Sequence, residues 1–437
     1  MGKWMQSITA RVLGIGLLAL VMLIPLTQVQ GLVAERAALR DEAATKIAQG
    51  WGGKQVLGGL VLAVPTQRTE ERGEGKVAIV RDSEQIVLAD SMQTRASLDV
   101  TKRSYGMYEV PVYVADTHVT ARFLVADIRR AEQASDAGWS HAKAELRLLL
   151  ADPQGLRDVS DLRINGVPQR FGSSSEHIGG LATVAVPLDL GQYDASIDVE
   201  LDLKLAGTGS FRVLPLARQT RLDVQAPWVD PSFSGALLPA ERRIDAKGFA
   251  ATWRMLDLNR SYGQNWDAGD QRIDAMLAPS AFGVDLYQPA NVYQQNERAG
   301  KYGLLFIALT FVAFFMFDVL KRMRVHPVQY LLIGAALATF YVVLLALSEQ
   351  IGFGYAYLVA SAAVVGIVAG YASAVLGAWR AGLLLGGVLA LVYAILYGLI
   401  GAEQYALLIG ACVLLMVVAL LMYLTRRIDW YSPLEAA

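Results

Sequence analysis

A bundle of six transmembrane α-helices with both chain ends inside, joined to a large β-rich, sandwich-like extramembrane domain, is the fold class this sequence predicts. Three observations predict it. Five apolar spans of about twenty residues lie between Tyr302 and Leu424, long enough to cross a hydrocarbon core of ~30 Å. A sixth apolar run, Val12–Leu26, stands near the N-terminus. Between them, about 275 residues of ordinary globular composition carry short stretches of alternating apolar and polar residues, the period of a half-buried strand.

Residues 1–27 read as a transmembrane signal anchor. Lys3 and Arg11 precede the apolar run, a pattern that signal peptides and anchors share. Val29 and Gly31 stand where cleavage would need small residues. Extending the run back to Ile8 gives about nineteen residues, a length that favours retention.

Residues 28–300 read as the exported domain. It opens on Ala34–Gln49, rich in Ala, Glu, Arg and Lys and stopped by Gly50, which predicts one helix. The period then changes to two. Ile197-Asp198-Val199-Glu200-Leu201-Asp202-Leu203-Lys204-Leu205 alternates without a break. Shorter examples are Ala96-Leu98-Val100, Val119-Ala121-Phe123, Thr183–Pro187, Leu222-Val224 and Phe249-Ala251-Trp253-Met255. Turns are signalled at Arg72-Gly73-Glu74-Gly75, Asn165-Gly166, Gly207-Thr208-Gly209 and Ala246-Lys247-Gly248. Many short alternating strands imply a mainly antiparallel sandwich. Asp127–Ala144 adds a helix or a long loop, and a junction of two subdomains near Ala151–Asp161 is permitted but not demanded.

Residues 301–425 form the predicted five-helix bundle, and residues 426–437 a cytoplasmic tail. The connectors alternate in charge: Lys321-Arg322-Met323-Arg324, then Glu349 without a base, then Arg380, then Glu403 without a base, then Arg426-Arg427. Bases gather on cytoplasmic ends, so this alternation sets the orientation. Trp4, Trp379 and Trp430 fall at those ends, and Tyr302, Tyr355, Tyr357 and Tyr405 at the opposite ones.

Composition agrees with the division. The chain is 54% apolar with a mean hydropathy of +0.36, and the excess sits in the two apolar regions. Eight of the 39 Lys and Arg and five of the 40 Asp and Glu lie outside the middle segment, which leaves it with 31 bases, 35 acids and a net charge of −4. Such a domain has no basic excess for a phosphate backbone, so nucleic acid is not an expected partner. The lone Cys412 lies inside the last span, leaving the exported domain without a disulfide.

The search for chemistry returns little. His118, His141 and His177 have no second His or Cys at ligand spacing, so no metal site is expected. Ser173-Ser174-Ser175-Glu176-His177 reads as a polar loop, since a triad needs a third, usually distant group. Gly207-Thr208-Gly209-Ser210 lacks the third glycine of a dinucleotide loop, and Gly50-Trp51-Gly52-Gly53-Lys54 lacks the Walker spacing. No cofactor and no catalytic residue is expected.

In the bundle, Asp318, Glu349 and Glu403 stand at span ends within reach of water, and no proline interrupts a span. Gly366/Gly370 and Gly382/Gly386 have the spacing that lets helices approach closely, within the bundle or in a homo-oligomer.

Several short segments carry a family resemblance. They are Leu57-Gly58-Gly59-Leu60 with Pro65, Asp152-Pro153-Gln154-Gly155-Leu156 with Asn165-Gly166, Phe233-Ser234-Gly235-Ala236-Leu237-Leu238-Pro239, and Gly248-Phe249-Ala250-Ala251-Thr252-Trp253. Nearer the membrane come Lys301-Tyr302-Gly303, His326–Leu332, Ser348-Glu349, Tyr405–Leu408 and Thr425–Tyr431. In this order and on this topology the chain resembles the CreD family of bacterial inner-membrane proteins, also called cell envelope integrity proteins. The resemblance implies a Gram-negative inner membrane, a periplasmic location for the exported domain, and roles in envelope integrity, envelope stress and β-lactam response. It supplies no catalytic residues.

His326-Pro327 has a local explanation as the start of a span. The expected activity is therefore non-enzymatic, through binding of an envelope protein or ligand, with the lipid bilayer as the other partner. Two rivals remain: an envelope-modifying enzyme whose carboxylates converge only in the fold, and a transporter or channel lined by Tyr341, Tyr371, Tyr393 or Tyr397.

Overall fold

The computed structural model describes residues 8–72, 77–286, 292–320, 326–375, 377–402 and 405–426. The expectations placed on Lys3, Trp4, Gly73–Lys76, Lys321, Arg322, Met323, Arg324, Glu403 and Arg427–Tyr431 fall outside these residues, as do the side chains of Arg11 and Asp318. The chain divides into two compact units, one of residues 1–39 and 290–437 and one of residues 40–289.

The first unit is helical. Ile8–Val21 is followed after one residue by Leu23–Trp51, so the anchor run and the expected Ala34–Gln49 helix are not separated by a loop. Pro25 sits in the first turn of the second helix, where its missing N–H costs nothing. Val292–Lys301 meets the following helix at a bend of 46°, with Tyr302 at the corner. Then come Gly303–Leu320, Pro327–Ile351, Phe353–Val375, Trp379–Gly401 and Ala406–Thr425. Among the described residues five helices are long and apolar enough to cross a membrane, or six if the bent pair counts as one span.

Only helices satisfy every backbone group in hydrocarbon without help, which is why these apolar runs take that form. His326 starts one of them. Its Nδ1 accepts from Val328 N and Gln329 Oε1 accepts from His326 N, with Pro327 in the first turn, as the sequence implied.

Packing within this unit separates the two glycine pairs. A Cβ on Gly382 would meet Ser373 and Ala369, and one on Gly386 would meet Ala369, so this pair seats one helix against its neighbour. A Cβ on Gly366 or Gly370 would meet nothing within 4 Å.

The second unit is a sandwich of two sheets over a single core. One sheet runs Gly172–Ile178, Leu181–Leu188, Ala144–Leu150, Gln55–Arg72 and the first part of Val77–Tyr105. The other runs Leu156–Ile164, Ser196–Thr208, Tyr108–Leu124, the rest of Val77–Tyr105, Ala217–Ala226, Gly248–Leu256 and Glu241–Asp245. The Val77–Tyr105 strand thus belongs to both. Pairing is antiparallel except for Ala217–Ala226 on Val77–Tyr105 and Ser210–Val213 on the start of Gln55–Arg72.

Alternation decides which face is inside. Ile197, Val199, Leu201, Leu203 and Leu205 are buried while Asp198, Glu200, Asp202 and Lys204 point the other way. Trp253, wholly buried, donates from Nε1 to Leu237 O and lies edge-on to Phe233. Burying an aromatic of this size contributes on the order of 2–3 kcal/mol. Asp127–Ala144 proves to hold a helix, Val125–Gln133, followed by a short strand and a 3-10 turn. Gly207 and Thr208 extend their strand, and only Gly209 (φ 70°) makes the expected turn.

Several segments that carry the resemblance have structural duties here. Gly59 (φ 79°) sits at a bulge and under Met92, where a Cβ would come within 2.5 Å of the sulfur. Asp152 accepts from Gly53 N at 2.8 Å and from Gln154 N at 3.0 Å, tying its turn to the start of the first strand.

Candidate functional site

The outward face of the second sheet is where the sandwich gathers its polar side chains. Its central strands, such as Ser196–Thr208 and Ala217–Ala226, bury every second residue over most of their length, so the alternate residues form one continuous surface. Register then sets the neighbours. Asp198 lies opposite Arg122, Asp202 opposite His118, and Lys204 opposite Asp116. Each pair is closed by a contact: Arg122 Nε donates to Asp198 Oδ1, His118 Nδ1 lies 2.7 Å from Asp202 Oδ1, and Lys204 Nζ lies 3.5 Å from Asp116.

Asp223 is the best-connected group. It accepts from Arg221 at 2.8 Å, from Thr252 Oγ1 at 2.7 Å and from Gln93 Nε2 at 3.2 Å. Partial burial pushes its carboxyl up, but the three hydrogen bonds outweigh this and hold it below the usual carboxylate range. The same contact holds the Arg221 guanidinium above its ordinary value.

Two grooves cross this face. One, of about 710 Å³, is lined by Gln93, Thr120, Arg122, Glu200, Arg221 and Arg254 among others. The other, of about 730 Å³, is lined by Arg95, Asp116, His118, Asp223, Glu241 and Arg242. They adjoin, because Gln93 and Arg95, like Arg221 and Asp223, are successive outward residues, about 7 Å apart along a strand. Arg95, Arg242 and Glu200 make no side-chain hydrogen bond or ion pair among the described residues, so the first groove offers an unpaired acid and the second two unpaired bases.

Held down in this way, Asp223 serves the grooves as a hydrogen-bond acceptor. Among the described residues, no group of three His, Cys, Asp or Glu could hold a metal ion. His118 lies in the second groove on the polar face, as its strand position implied. His141 contacts Glu132 at 3.2 Å, and His177 Nδ1 lies 3.1 Å from Ser175 O within its own edge strand. Ser174 bonds Thr183 across that edge. Trp51 ends a helix, with the guanidinium groups of Arg103 and Arg157 over its ring at 4.5 and 4.8 Å.

The helical unit holds one polar cluster that sequence position did not disclose. Glu349 stands at a span end as expected, but its side chain is only 10% exposed rather than open to water. It accepts from Tyr293 Oη at 3.0 Å and lies 4.0 Å from Arg36 Nε. Beside it Asn296 Nδ2 donates to Ser348 Oγ at 2.9 Å. The partners lie up to some three hundred residues apart in sequence, so no local pattern marks them. Of the four tyrosines of the transport reading, Tyr341 and Tyr393 are packed with Phe340 and Tyr357, and the half-exposed Tyr397 lies against Tyr357 with ring centroids 5.1 Å apart.

Comparison with known proteins bears on the whole chain. A family model described as "Inner membrane protein CreD" matches residues 7–431. The chain is 32% identical over 418 residues to Inner membrane protein CreD of Escherichia coli (strain K12), an alignment covering 94% of this chain and 91% of that one.

Proposed function

Since the chain belongs to the CreD family of inner membrane proteins, we propose that it serves cell-envelope integrity without catalysing a reaction, by binding an envelope protein or ligand on the outward face of its sandwich. In this reading the helices cross the inner membrane six times with both ends in the cytoplasm. The alternating bases of the connectors support that orientation. The sandwich then stands in the periplasm, and its occupancy answers to envelope stress, β-lactam damage included.

The observation that carries the reading is the polar face itself. Two adjoining grooves line up fixed donors and acceptors, and both contain charge with no partner of its own, Glu200 in one and Arg95 and Arg242 in the other. Paired charges pre-orient such a surface, while an unpaired one is free to meet a complementary group.

In-cell photocrosslinking from Gln93, Thr120 and Gln219 tests it, with products identified by mass spectrometry. Repeated recovery of one envelope protein or peptidoglycan fragment is the expected result. Products no different from those of probes on the opposite sheet would overturn the reading.

A further inference from the structure

In the helical unit an apolar groove of about 480 Å³ lies between the Ile8–Val21, Gly303–Leu320 and Ala406–Thr425 helices. Phe311, Phe315, Met316 and Leu421 supply much of its wall. It extends from Ala308 to Met316 on one helix and from Val418 to Thr425 on another, a length of about 12 Å at 1.5 Å per residue. One leaflet of a hydrocarbon core is roughly 15 Å deep, so the groove matches most of a leaflet.

Its two ends differ in charge. Val12, Met316 and Thr425 mark one end, and there the exposed Arg426 follows directly, its guanidinium 4.0 Å over the Tyr423 ring. The sequence adds Arg11 immediately before Val12 and Asp318 two residues past Met316, so bases outnumber acids two to one at this end. At the other end stand Ala19, Ala308 and Val418, and no charged residue occurs within 12–34, 302–317 or 406–425. The Ala406–Tyr423 span has no side chain buried by protein, so this helix borders the groove without filling it.

From these observations we infer that the groove holds one acyl chain of an anionic phospholipid, with the headgroup phosphate against Arg426. A basic rim over an apolar slot between helices is the arrangement that anionic headgroups select. Under the topology proposed above, that rim lies in the cytoplasmic leaflet. The inference concerns the helical unit alone and stands apart from ligand binding on the sandwich.

Gly16 allows a clean test. It lines the groove, yet a Cβ there would meet no atom within 4 Å, so Gly16→Leu fills the slot without displacing protein. Gly366→Leu is the control, being equally unobstructed but away from the groove. The full chain is purified from bilayers of equimolar phosphatidylglycerol and phosphatidylethanolamine, and bound lipid is counted by native mass spectrometry.

The expected result is preferential retention of phosphatidylglycerol by the parent and by Gly366→Leu, with at least a fivefold loss in Gly16→Leu. Arg426→Gln should abolish the preference between the two lipids. Equal retention of both lipids by the parent overturns the inference, as does a Gly16→Leu variant that keeps its lipid.

Discussion

Arg147 grips Glu84 with both terminal nitrogens, at 2.6 and 2.7 Å, from a position where its own side chain is only 5% exposed. Glu145 takes the Nε hydrogen at 2.9 Å, so a near-buried cation faces two carboxylates across the first sheet. Removing one partner of a buried pair leaves an uncompensated charge, which costs about 3–5 kcal/mol. Glu84 is partly exposed, so Arg147→Ala should cost near the lower figure. Urea unfolding of the full chain in detergent, followed by tryptophan fluorescence, measures it. Arg147→Met, which refills the space, should still be destabilised, because Glu84 and Glu145 would be left facing each other.

Asp223 predicts a pH dependence of definite sign. Its carboxyl is held below its ordinary value of 3.8 in the folded state. The stabilisation is therefore fully present above that value and is lost as pH falls through the lower, folded one. Asp223→Asn should lower the melting temperature at pH 7, and the gap to the parent should close as the pH falls below the ordinary carboxyl value of 3.8. A gap independent of pH would remove the charge from the account.

Asn296 joins the Val292–Lys301 helix to Ser348, whose hydroxyl donates separately to Leu345 O at 2.8 Å. Asn296→Ala therefore strands no donor on the serine, and a cost of about 1 kcal/mol is expected rather than more. Hydrogen exchange should quicken in residues 292–301 while the Ala406–Thr425 helix stays unchanged.

Arg95 and Glu200 give the opposite case. Both face outward, and neither has a side-chain partner among the described residues. The double variant Arg95→Ala/Glu200→Ala should leave stability within about 0.5 kcal/mol of the parent. Photocrosslinking yield from Gln93 should nevertheless fall severalfold.

Sequence showed best whatever depends on near neighbours. The alternation of Ile197–Leu205 located a strand and its buried face, and the apolar runs after Tyr302 located helices. A domain boundary at residue 300 places most of Val292–Lys301 in the extramembrane domain, yet Tyr293 and Asn296 are buried within the helical unit. A polar residue buried through its hydrogen bonds looks in sequence like an exposed one. The same limit hid Arg147, a base buried in the mostly apolar Ala144–Leu150 strand, and the ladder of charge pairs on the outward face. Register alone creates those pairs, and register between distant strands is absent from any local pattern.

The shared Val77–Tyr105 strand has a consequence for the order of assembly. Its parallel partner, Ala217–Ala226, arrives about 130 residues later in the chain, and loops of that length close slowly. Until then the long strand waits with one edge unsatisfied, open to mispairing with other chains. The emerging polypeptide thus passes through an aggregation-prone interval that ends only when Ala217–Ala226 and then Asn265–Asp267 have emerged to cover that strand, so a chaperone that shields nascent strand edges would raise the yield of folded protein.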